Sequence, residues 1–300
     1  MRACPEPRRR VLITGGRGQL GRALQEPLAQ HQVSALDFPE MDVADPEGVR
    51  RAFDELRPEL VIHAAAWTDT AGCESDPERA LLVNGEGTRH VAEACTRAGA
   101  DMLYVSTNEV FDGETAEPYR EEDAPNPINA YARSKLAGER YVQSTTERYY
   151  IVRTAWLYGP GRVSFPEKVL QAAAKTNSLK GVTDEVASPT WTADLATGIA
   201  ALVRGAPFGI YHLTNGGYCS RLEWVREVLR LAGLGEVTVE PTSQQEYGAP
   251  YRKPAFSALA NVNAAGLGIE LRPWQEALKE HLRRSRSGAG VEAPAPQVNR

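Results

Sequence analysis

The stretch Arg10-Val-Leu-Ile-Thr-Gly-Gly-Arg-Gly-Gln-Leu-Gly21 joins a short apolar run to a glycine-rich turn, and a helical pattern follows to about Gln30. Gly15, Gly18 and Gly21 recur at every third position, which permits a tight turn and close approach of a ligand to the backbone. A helix that starts at such a turn presents free N–H groups and a positive dipole end to a pyrophosphate. Strand, turn and helix together predict the first βα unit of a dinucleotide-binding domain.

Apolar runs and helical patterns alternate through the first half of the chain. The predicted strands cover residues 11–14, 33–36, 60–63, 102–106 and 150–153, and the predicted helices cover 46–56, 77–98 and 130–144. This alternation is typical of an α/β fold with a parallel sheet, and right-handed crossovers make it a doubly wound, Rossmann-type sheet. We therefore expect the ligand beyond the carboxyl ends of the strands.

The second half of the chain has a looser pattern, which predicts a smaller substrate-binding domain interleaved with the first. Helical patterns cover residues 166–175, 192–204 and 221–231, and a strand over 208–213 is expected to rejoin the main sheet. The dinucleotide-binding domain is assigned to residues 8–155, with 183–213 returning to it. The substrate-binding domain is assigned to 156–182 and 214–283. Residues 284–300 are rich in Pro, Ala and Gly and are expected to be disordered.

Composition excludes several classes of function. The 300 residues carry a net charge of −5, so no broad basic surface for nucleic acid is expected. The four cysteines form no C-x-x-C pair and have no accompanying histidine cluster, which predicts neither a metal site nor a disulfide framework. The sequence has no signal-peptide pattern and no membrane-spanning apolar run, so we expect a cytoplasmic protein.

Tyr131 and Lys135 are four residues apart in a predicted helix, and Ser106 and Thr107 end the strand before it. Residues at this spacing share one helix face, so an ammonium group there can lower the pKa of the phenol. Tyr131 is then the expected proton donor to a carbonyl oxygen that receives a hydride, and Lys135 would also hold the nicotinamide ribose. Adjacent strand residues face opposite ways, so only one of the two hydroxyls should point to the same oxygen.

Two charged residues near the glycines make opposite predictions about the coenzyme. Asp37 ends the second strand, where a carboxylate can bind both ribose hydroxyls of NAD. Arg17 lies inside the glycine turn, where a guanidinium can pair with the 2′-phosphate of NADP. A solvated acid and a solvated arginine are the structural alternatives. Ala64, Ala65 and Ala66 end the third strand, and their small side chains would either let a cofactor lie against the backbone or simply pack tightly.

These motifs, together with Ser106-Thr-Asn-Glu-Val-Phe-Asp-Gly113, Arg153-Thr-Ala-Trp-Leu-Tyr-Gly159 and Ser188-Pro-Thr190, resemble the extended short-chain dehydrogenase/reductase family, and within it the dTDP-4-dehydrorhamnose reductase branch. The resemblance extends from about residue 10 to about residue 283. One departure lies in Asn108-Glu109, where the branch commonly has Asp-Tyr.

The resemblance implies roles for particular residues. Thr107 is favoured over Ser106, so the expected catalytic residues are Thr107, Tyr131 and Lys135. Cofactor contacts are expected from Tyr131 and Lys135 and from Gly15, Arg17, Gly18, Gln19, Leu20, Gly21, Asp37, Asp42, Val43, Ala64, Ala65 and Ala66. Asp42-Val43 would be the adenine-contacting pair. Substrate contacts are expected from Thr107, Asn108, Tyr131 and Trp156, with the indole against the 6-deoxyhexose.

The resemblance implies reduction of the 4-keto group of dTDP-4-dehydro-L-rhamnose to dTDP-L-rhamnose. NADPH is the favoured coenzyme, NADH is also expected to be accepted, and a homodimer is expected. Two alternatives stay open. One is epimerisation or dehydration of a nucleotide sugar, for which Glu109 is a candidate acid or base. The other is a non-catalytic regulatory subunit with the same fold, which NAD(P)H turnover with a keto-sugar nucleotide would distinguish from an enzyme.

Overall fold

The computed structural model describes residues 7–286. Its strands are β1 (Arg10–Thr14), β2 (Gln32–Leu36), β3 (Leu60–His63), β4 (Asp101–Thr107), β5 (Tyr149–Thr154), β6 (Leu157–Tyr158), β7 (Ser178–Val182), β8 (Val186–Ala187), β9 (Thr190–Trp191), β10 (Gly209–His212), β11 (Cys219–Ser220) and β12 (Thr238–Thr242). Its helices are α1 (Gln19–Leu24), α2 (Pro46–Leu56), α3 (Thr70–Ser75), α4 (Pro77–Ala80), α5 (Gly87–Ala98), α6 (Ala130–Thr145), α7 (Phe165–Ala173), α8 (Thr192–Leu202), α9 (Arg221–Ala232), α10 (Gln244–Tyr247), α11 (Val262–Ala265) and α12 (Trp274–Arg286).

Six parallel strands form the central sheet in the order β10-β5-β4-β3-β1-β2. The strand order reverses at β1, which has β2 on one side and β3 on the other. Thr14 pairs with Leu36 and His63, so these three strands end together. A ligand crevice forms at such a reversal, beyond the carboxyl ends. The predicted doubly wound parallel sheet is confirmed, including the return of the strand near residue 210 to its edge.

Apolar side chains alternate between the two faces of the sheet because successive strand residues point in opposite directions. Val11 and Ile13 pack with residues of α1 and α8 on one face. Leu12 packs on the other face with residues of α2, α5 and α6. Helices therefore cover both faces, which makes the sheet interior dry and leaves the strand ends as the accessible edge.

A third apolar cluster lies apart from the two that cover the sheet. It is formed mainly by residues of α7, α9 and α12, with Trp224 and Trp274 among its buried side chains. The short pair β7–β12 runs beside it. These segments fall within the second predicted domain, although its boundaries stay a prediction. Within the predicted returning segment 183–213, α8 packs on the main sheet, whereas β8 pairs with β11 and β9 pairs with β6.

Three predicted elements differ from the structure. The helix after the glycine turn ends at Leu24 rather than near Gln30, and hydrogen-bonded turns follow it. The predicted helix over 77–98 is divided into α4, a wider π-helical turn at Leu81–Glu86, and α5. The disordered end was predicted from residue 284, but α12 continues through Arg286; the rest of that prediction, 287–300, lies outside the described residues.

Candidate active site

The helix α6 carries the Tyr131–Lys135 pair to the carboxyl end of β4. Asn129 caps the helix, because its side chain accepts a hydrogen bond from the Ala132 N–H at 2.8 Å. An Asn cap satisfies one of the N–H groups that the first turn leaves unpaired. Tyr131 therefore lies in the first turn, facing the rim, and Lys135 lies one turn deeper in the protein.

The two hydroxyls at the end of β4 have different surroundings. The Ser106 hydroxyl donates to Glu139 Oε1 at 2.5 Å, inside the protein. The Thr107 hydroxyl accepts the Glu109 N–H at 3.2 Å, donates to Asn108 Oδ1 at 3.4 Å, and lowers the pKa of the neighbouring Tyr131 phenol. Of the pair, Thr107 is thus the residue beside the predicted proton donor, as strand alternation requires.

The electrostatic surroundings of Tyr131 are mixed. Burial raises the pKa of its phenol well above the ordinary value, and the Glu109 carboxylate raises it further. The Thr107 hydroxyl and the Arg162 guanidinium lower that pKa to a smaller extent. A phenol in these surroundings holds its proton at neutral pH, as a proton donor must.

Lys135 is hydrogen-bonded to the strand that packs beside α6. Its Nζ donates to the Val105 carbonyl at 2.7 Å and lies 4.2 Å from the centre of the Tyr104 ring. Burial lowers the pKa of Lys135 to about 7, with Glu139 opposing the shift. The groups that lower the Tyr131 pKa here are Thr107 and Arg162, and the expected effect of Lys135 on that pKa stays a prediction.

The glycine turn is closed by its own backbone. The Gly18 N–H donates to the Gly15 carbonyl at 3.0 Å, and Gly15 has a φ of +68° that favours glycine. A Cβ on Gly21 would lie 2.2 Å from the Gly15 carbonyl oxygen. Gln19 and Leu20 have buried side chains, so only their backbone groups face the turn.

The three alanines after β3 lie against this turn. A Cβ on Gly15 would come within 2.8 Å of the Ala65 nitrogen, and the Ala65 N–H donates to Thr14 Oγ1 at 3.2 Å. Ala64 and Ala66 are half-buried, like Ala65. The two strand ends thus present a narrow surface of backbone and methyl groups, which fits an extended dinucleotide that must approach main chain closely.

Arg17 and Asp37, the two residues expected to select the coenzyme, both have hydrogen-bond partners within the protein. Asp37 accepts the Arg17 N–H at 2.9 Å and the Phe38 N–H at 2.8 Å. The exposed Arg17 guanidinium donates to the Phe38 carbonyl at 3.3 Å and forms an ion pair with Glu40. A 2′-phosphate at this corner would meet one guanidinium and two carboxylates. Glu40 is a residue that sequence reasoning missed.

Asp42 and Val43 follow the same corner. Asp42 caps the next turn, since its carboxylate accepts the Ala44 N–H at 2.9 Å. Val43 is buried in the apolar cluster under α2 and α5. The valine side chain is therefore a packing group here, and the adenine contact expected of this pair stays a prediction.

The expected substrate residues separate into two groups. Trp156 is half-buried, has a φ of +42°, and stacks on Trp224 with ring centres 5.3 Å apart. Asn108 is buried, and its Nδ2 donates to Ser257 Oγ at 2.7 Å. The Asn108 side chain is thus engaged inside the protein, while part of Trp156 remains accessible at the cleft.

Charged residues from the second half of the chain border this cleft, and sequence reasoning missed most of them. Glu185 is buried and pairs with Arg221 at 2.9 Å and with Lys253 at 3.2 Å. The Arg221 guanidinium lies 3.5 Å from the centre of the Trp156 ring. The neighbouring Asp184 is exposed, in contrast to Glu185.

Arg162 is a further residue without a signal in the local pattern. Its Nε donates to Gln19 Oε1 at 2.9 Å, and its Nη1 donates to Thr68 Oγ1 at 3.3 Å. Gln19 in turn donates to the Gly159 carbonyl at 2.5 Å. The loop after β6 is thus held over the glycine turn, and it brings a cation toward Tyr131.

Comparison with known proteins identifies the family. The RmlD substrate binding domain family matches residues 9–287. The chain belongs to this family. It is 41% identical to the dTDP-4-dehydrorhamnose reductase of Streptomyces griseus, over 98% of this chain and 99% of that protein. It is 38% identical to the spore coat polysaccharide biosynthesis protein SpsK of Bacillus subtilis, over 91% of this chain and 96% of that protein.

A solved structure of an RmlD relative has the same fold. The dTDP-4-dehydrorhamnose reductase of Bacillus anthracis, in complex with NADP, is 34% identical and has a TM-score of 0.89, covering 93% of this chain and 100% of that chain. The predicted family and enzyme class, an NAD(P)H-dependent oxidoreductase, are confirmed. Among residues 7–286, no helix has the length and apolar character needed to cross a membrane.

Proposed function

We propose that this RmlD-family protein reduces the 4-keto group of dTDP-4-dehydro-L-rhamnose to give dTDP-L-rhamnose, with NADPH as coenzyme and NADH also accepted. The observation that carries the proposal is the convergence of Thr107 and Tyr131 on the rim that also holds the glycine turn. The names of the Streptomyces griseus and Bacillus anthracis relatives support the choice of sugar, and the NADP in the latter supports the coenzyme.

The protein's own groups have separate tasks in this reaction. When bound, the reduced nicotinamide supplies the hydride that reaches the carbonyl carbon. Tyr131 donates its proton to the oxygen on which negative charge develops. Thr107 hydrogen-bonds the same oxygen and shares that charge. Lys135 ties α6 to β4 through the Val105 carbonyl and would hold the nicotinamide ribose.

The remaining residues of the site bind and orient. Backbone N–H groups at Gly18, Gln19 and Leu20 would face the pyrophosphate. Arg17 would contact the 2′-phosphate of NADPH, and Asp37 the ribose hydroxyls of NADH, which supports the use of both coenzymes. Trp156 would lie against the apolar face of the deoxysugar.

A turnover assay with defined product analysis tests the proposal. Purified protein would be mixed with dTDP-4-dehydro-L-rhamnose and NADPH, the loss of reduced nicotinamide recorded, and the product configuration at C4 determined by NMR. Stoichiometric oxidation with formation of dTDP-L-rhamnose is expected. Conversion of the sugar without net oxidation would instead indicate an epimerase or dehydratase. Binding of NADPH without any turnover would indicate a regulatory subunit.

The proposed substrate is a small molecule, and we place the reaction in the cytoplasm. Neither nucleic acid nor membrane takes part in it. Association into a homodimer stays a prediction, and light scattering of the purified protein tests it directly.

A further inference from the structure

Glu109 lies on the same rim as the catalytic hydroxyls. It belongs to the short 3₁₀ turn Asn108–Val110, which directly follows Thr107. Its Oε2 accepts a hydrogen bond from Asn129 Nδ2 at 2.8 Å. Since Asn129 caps the helix that carries Tyr131, one side of the Glu109 carboxylate is fixed to the start of that helix.

The other side of Glu109 faces the charged cluster of the second half of the chain. The pKa of Glu109 is raised above its ordinary value, chiefly by burial and to a smaller extent by Glu185. The Asn129 hydrogen bond and the cations Lys253 and Arg221 oppose this shift. Arg221 in turn covers Trp156. The Glu109 carboxylate thus influences the Tyr131 phenol and is itself influenced by the cations beside Trp156, and a sugar held against Tyr131 would lie near it.

The carboxylates of Glu109 and Glu185 differ in their capacity to bind a ligand. Both oxygens of Glu185 are taken by cations, Oε1 by Arg221 and Oε2 by Lys253. Within residues 7–286, Oε1 of Glu109 makes no hydrogen bond to protein, and the residue is half-buried rather than enclosed. An ionised carboxylate only accepts hydrogen bonds, so the partner of this oxygen must be a donor.

We propose that Glu109 is a specificity-determining residue that accepts a hydrogen bond from a sugar hydroxyl next to the reacting carbonyl, most directly the hydroxyl on C3. This inference rests on the proposed function, because it places the carbonyl oxygen at Thr107 and Tyr131. The diphosphate is excluded as the partner, since a carboxylate repels it. A sugar hydroxyl is neutral, can donate, and sits one carbon from the group that Thr107 holds.

The test compares two substrates in three proteins. One substrate is the dTDP-linked 4-keto-6-deoxy sugar with its C3 hydroxyl, and the other carries hydrogen at C3. Glu109→Ala should lower kcat/KM for the hydroxylated sugar about 10- to 100-fold, the usual range for a lost hydrogen bond to a charged group. It should leave the 3-deoxy sugar nearly unchanged. Glu109→Gln keeps an acceptor oxygen for Asn129 and should lose less.

Two controls separate specificity from structure. Glu117→Ala removes the same charge from an exposed position and should alter neither substrate. An equal loss with both substrates in Glu109→Ala would mean that the carboxylate only positions α6, and it would overturn the proposal. Circular dichroism and thermal unfolding of each variant would verify that the fold is retained.

Solvent exchange supplies a second readout. Turnover in D₂O should place no deuterium at C3 or C5 of the product. Deuterium at either carbon in the unmutated protein, absent in Glu109→Ala, would make Glu109 a base that removes a carbon-bound proton and would overturn the hydroxyl contact. If the unmutated protein reduces neither sugar, the proposed function fails, and calorimetric binding of the two nucleotide sugars still tests Glu109 on its own.

Discussion

Tyr131 and Lys135 share one face of α6, yet their side chains meet different surroundings. Tyr131 remains partly exposed on the rim, where Thr107, Glu109 and Arg162 influence its pKa. Lys135 is buried and bonded to the Val105 carbonyl. The i, i+4 spacing brings two residues to one helix face, but the depth of each side chain depends on what packs over that face.

Removal of the Tyr131 hydroxyl is the most direct test of the chemistry. Tyr131→Phe keeps the ring and removes only the hydroxyl group, so fold and coenzyme affinity should be retained. General acid catalysis contributes roughly 10²- to 10⁴-fold, and kcat in single turnovers should fall by about that factor. Thr107→Val should be milder, because it removes one hydrogen bond to the developing charge and leaves the proton donor in place. Full activity in Tyr131→Phe would rule out the proposed proton donor.

We expect the Arg17 guanidinium to contribute most to the selection of NADPH. Arg17→Ala should weaken NADPH binding more than NADH binding, since a hydrogen bond between charged groups contributes about 1.5–3 kcal/mol when well formed. Glu40→Gln is the matched variant, because it frees Arg17 from its ion pair and should strengthen NADPH binding. Fluorescence titration of both coenzymes measures each effect. If Arg17→Ala weakened the binding of NADH and NADPH equally, Arg17 would not be the residue that contacts the 2′-phosphate.

At the scale of elements, the glycine turn is held by local hydrogen bonds, whereas the divided helix over residues 77–98 is held by distant ones. The turn is closed by backbone hydrogen bonds within a few residues. The π-helical turn at Leu81–Glu86 depends on distant partners instead. Asn84 in this turn accepts the Trp67 N–H at 2.8 Å and donates to Ser134 Oγ at 3.0 Å. These bonds tie the loop after β3 to α6.

The glycine turn should not tolerate even a methyl group at its third glycine. In Gly21→Ala the Cβ would overlap the Gly15 carbonyl oxygen, so the turn must open or shift. Overpacking of this kind costs about 1–3 kcal/mol, and we expect both lower stability and weaker NADPH binding. Gly235→Ala is the control, because nothing lies within 4 Å of its added Cβ. Chemical denaturation and NADPH titration measure the two effects, and wild-type values in Gly21→Ala would contradict the close approach.

At the scale of the whole molecule, a buried ion pair joins the central sheet to α6. Arg153 Nη2 on β5 donates to Glu139 Oε2 on α6 at 2.7 Å, and Ser106 on β4 donates to Glu139 Oε1. Glu139→Met would leave the Arg153 charge buried without a partner, which typically costs about 3–5 kcal/mol of unfolding free energy. Urea denaturation measures it. Glu227→Met, which breaks the exposed pair with Arg230, should change stability little.

Two buried histidines predict sensitivity of the fold to acid. Burial lowers the pKa of His63 and of His212 to about 3, from an ordinary value of 6.5. Between pH 6.5 and 3 these histidines are protonated in the unfolded chain but neutral in the folded chain. The free energy of unfolding is therefore highest above pH 6.5 and decreases as the pH falls toward 3. Each histidine contributes a slope of about 1.4 kcal/mol per pH unit across most of this range.

The slope of the unfolding free energy against pH tests this prediction. His212→Gln should flatten the pH dependence of the unfolding free energy between about pH 6 and 4 by roughly one proton, whatever its effect on absolute stability. His90→Gln, at a half-buried position on α5, is the matched control. An unchanged slope in His212→Gln would show that this side chain takes up its proton in the folded state.

Short-range patterns were sufficient for the sheet, the glycine turn and the position of Tyr131. Strand periodicity, glycine spacing, the Asn129 cap and the i, i+4 relation all act within a few residues, so they can be read directly along the chain. The strand order and the ligand edge then follow from general rules of handedness and alternation. The end of α1 and the division of the 77–98 helix could not be read in this way, because both depend on packing partners.

The tertiary structure decided which side chains face the cleft. Asn108 is held by Ser257, 149 residues away, and Arg162 reaches Gln19 across 143 residues. Lys135 points into the sheet, and Glu109 meets a cluster contributed by Glu185, Arg221 and Lys253. No local pattern encodes these contacts, because each arises where separate segments pack and satisfy one another's charges and hydrogen bonds.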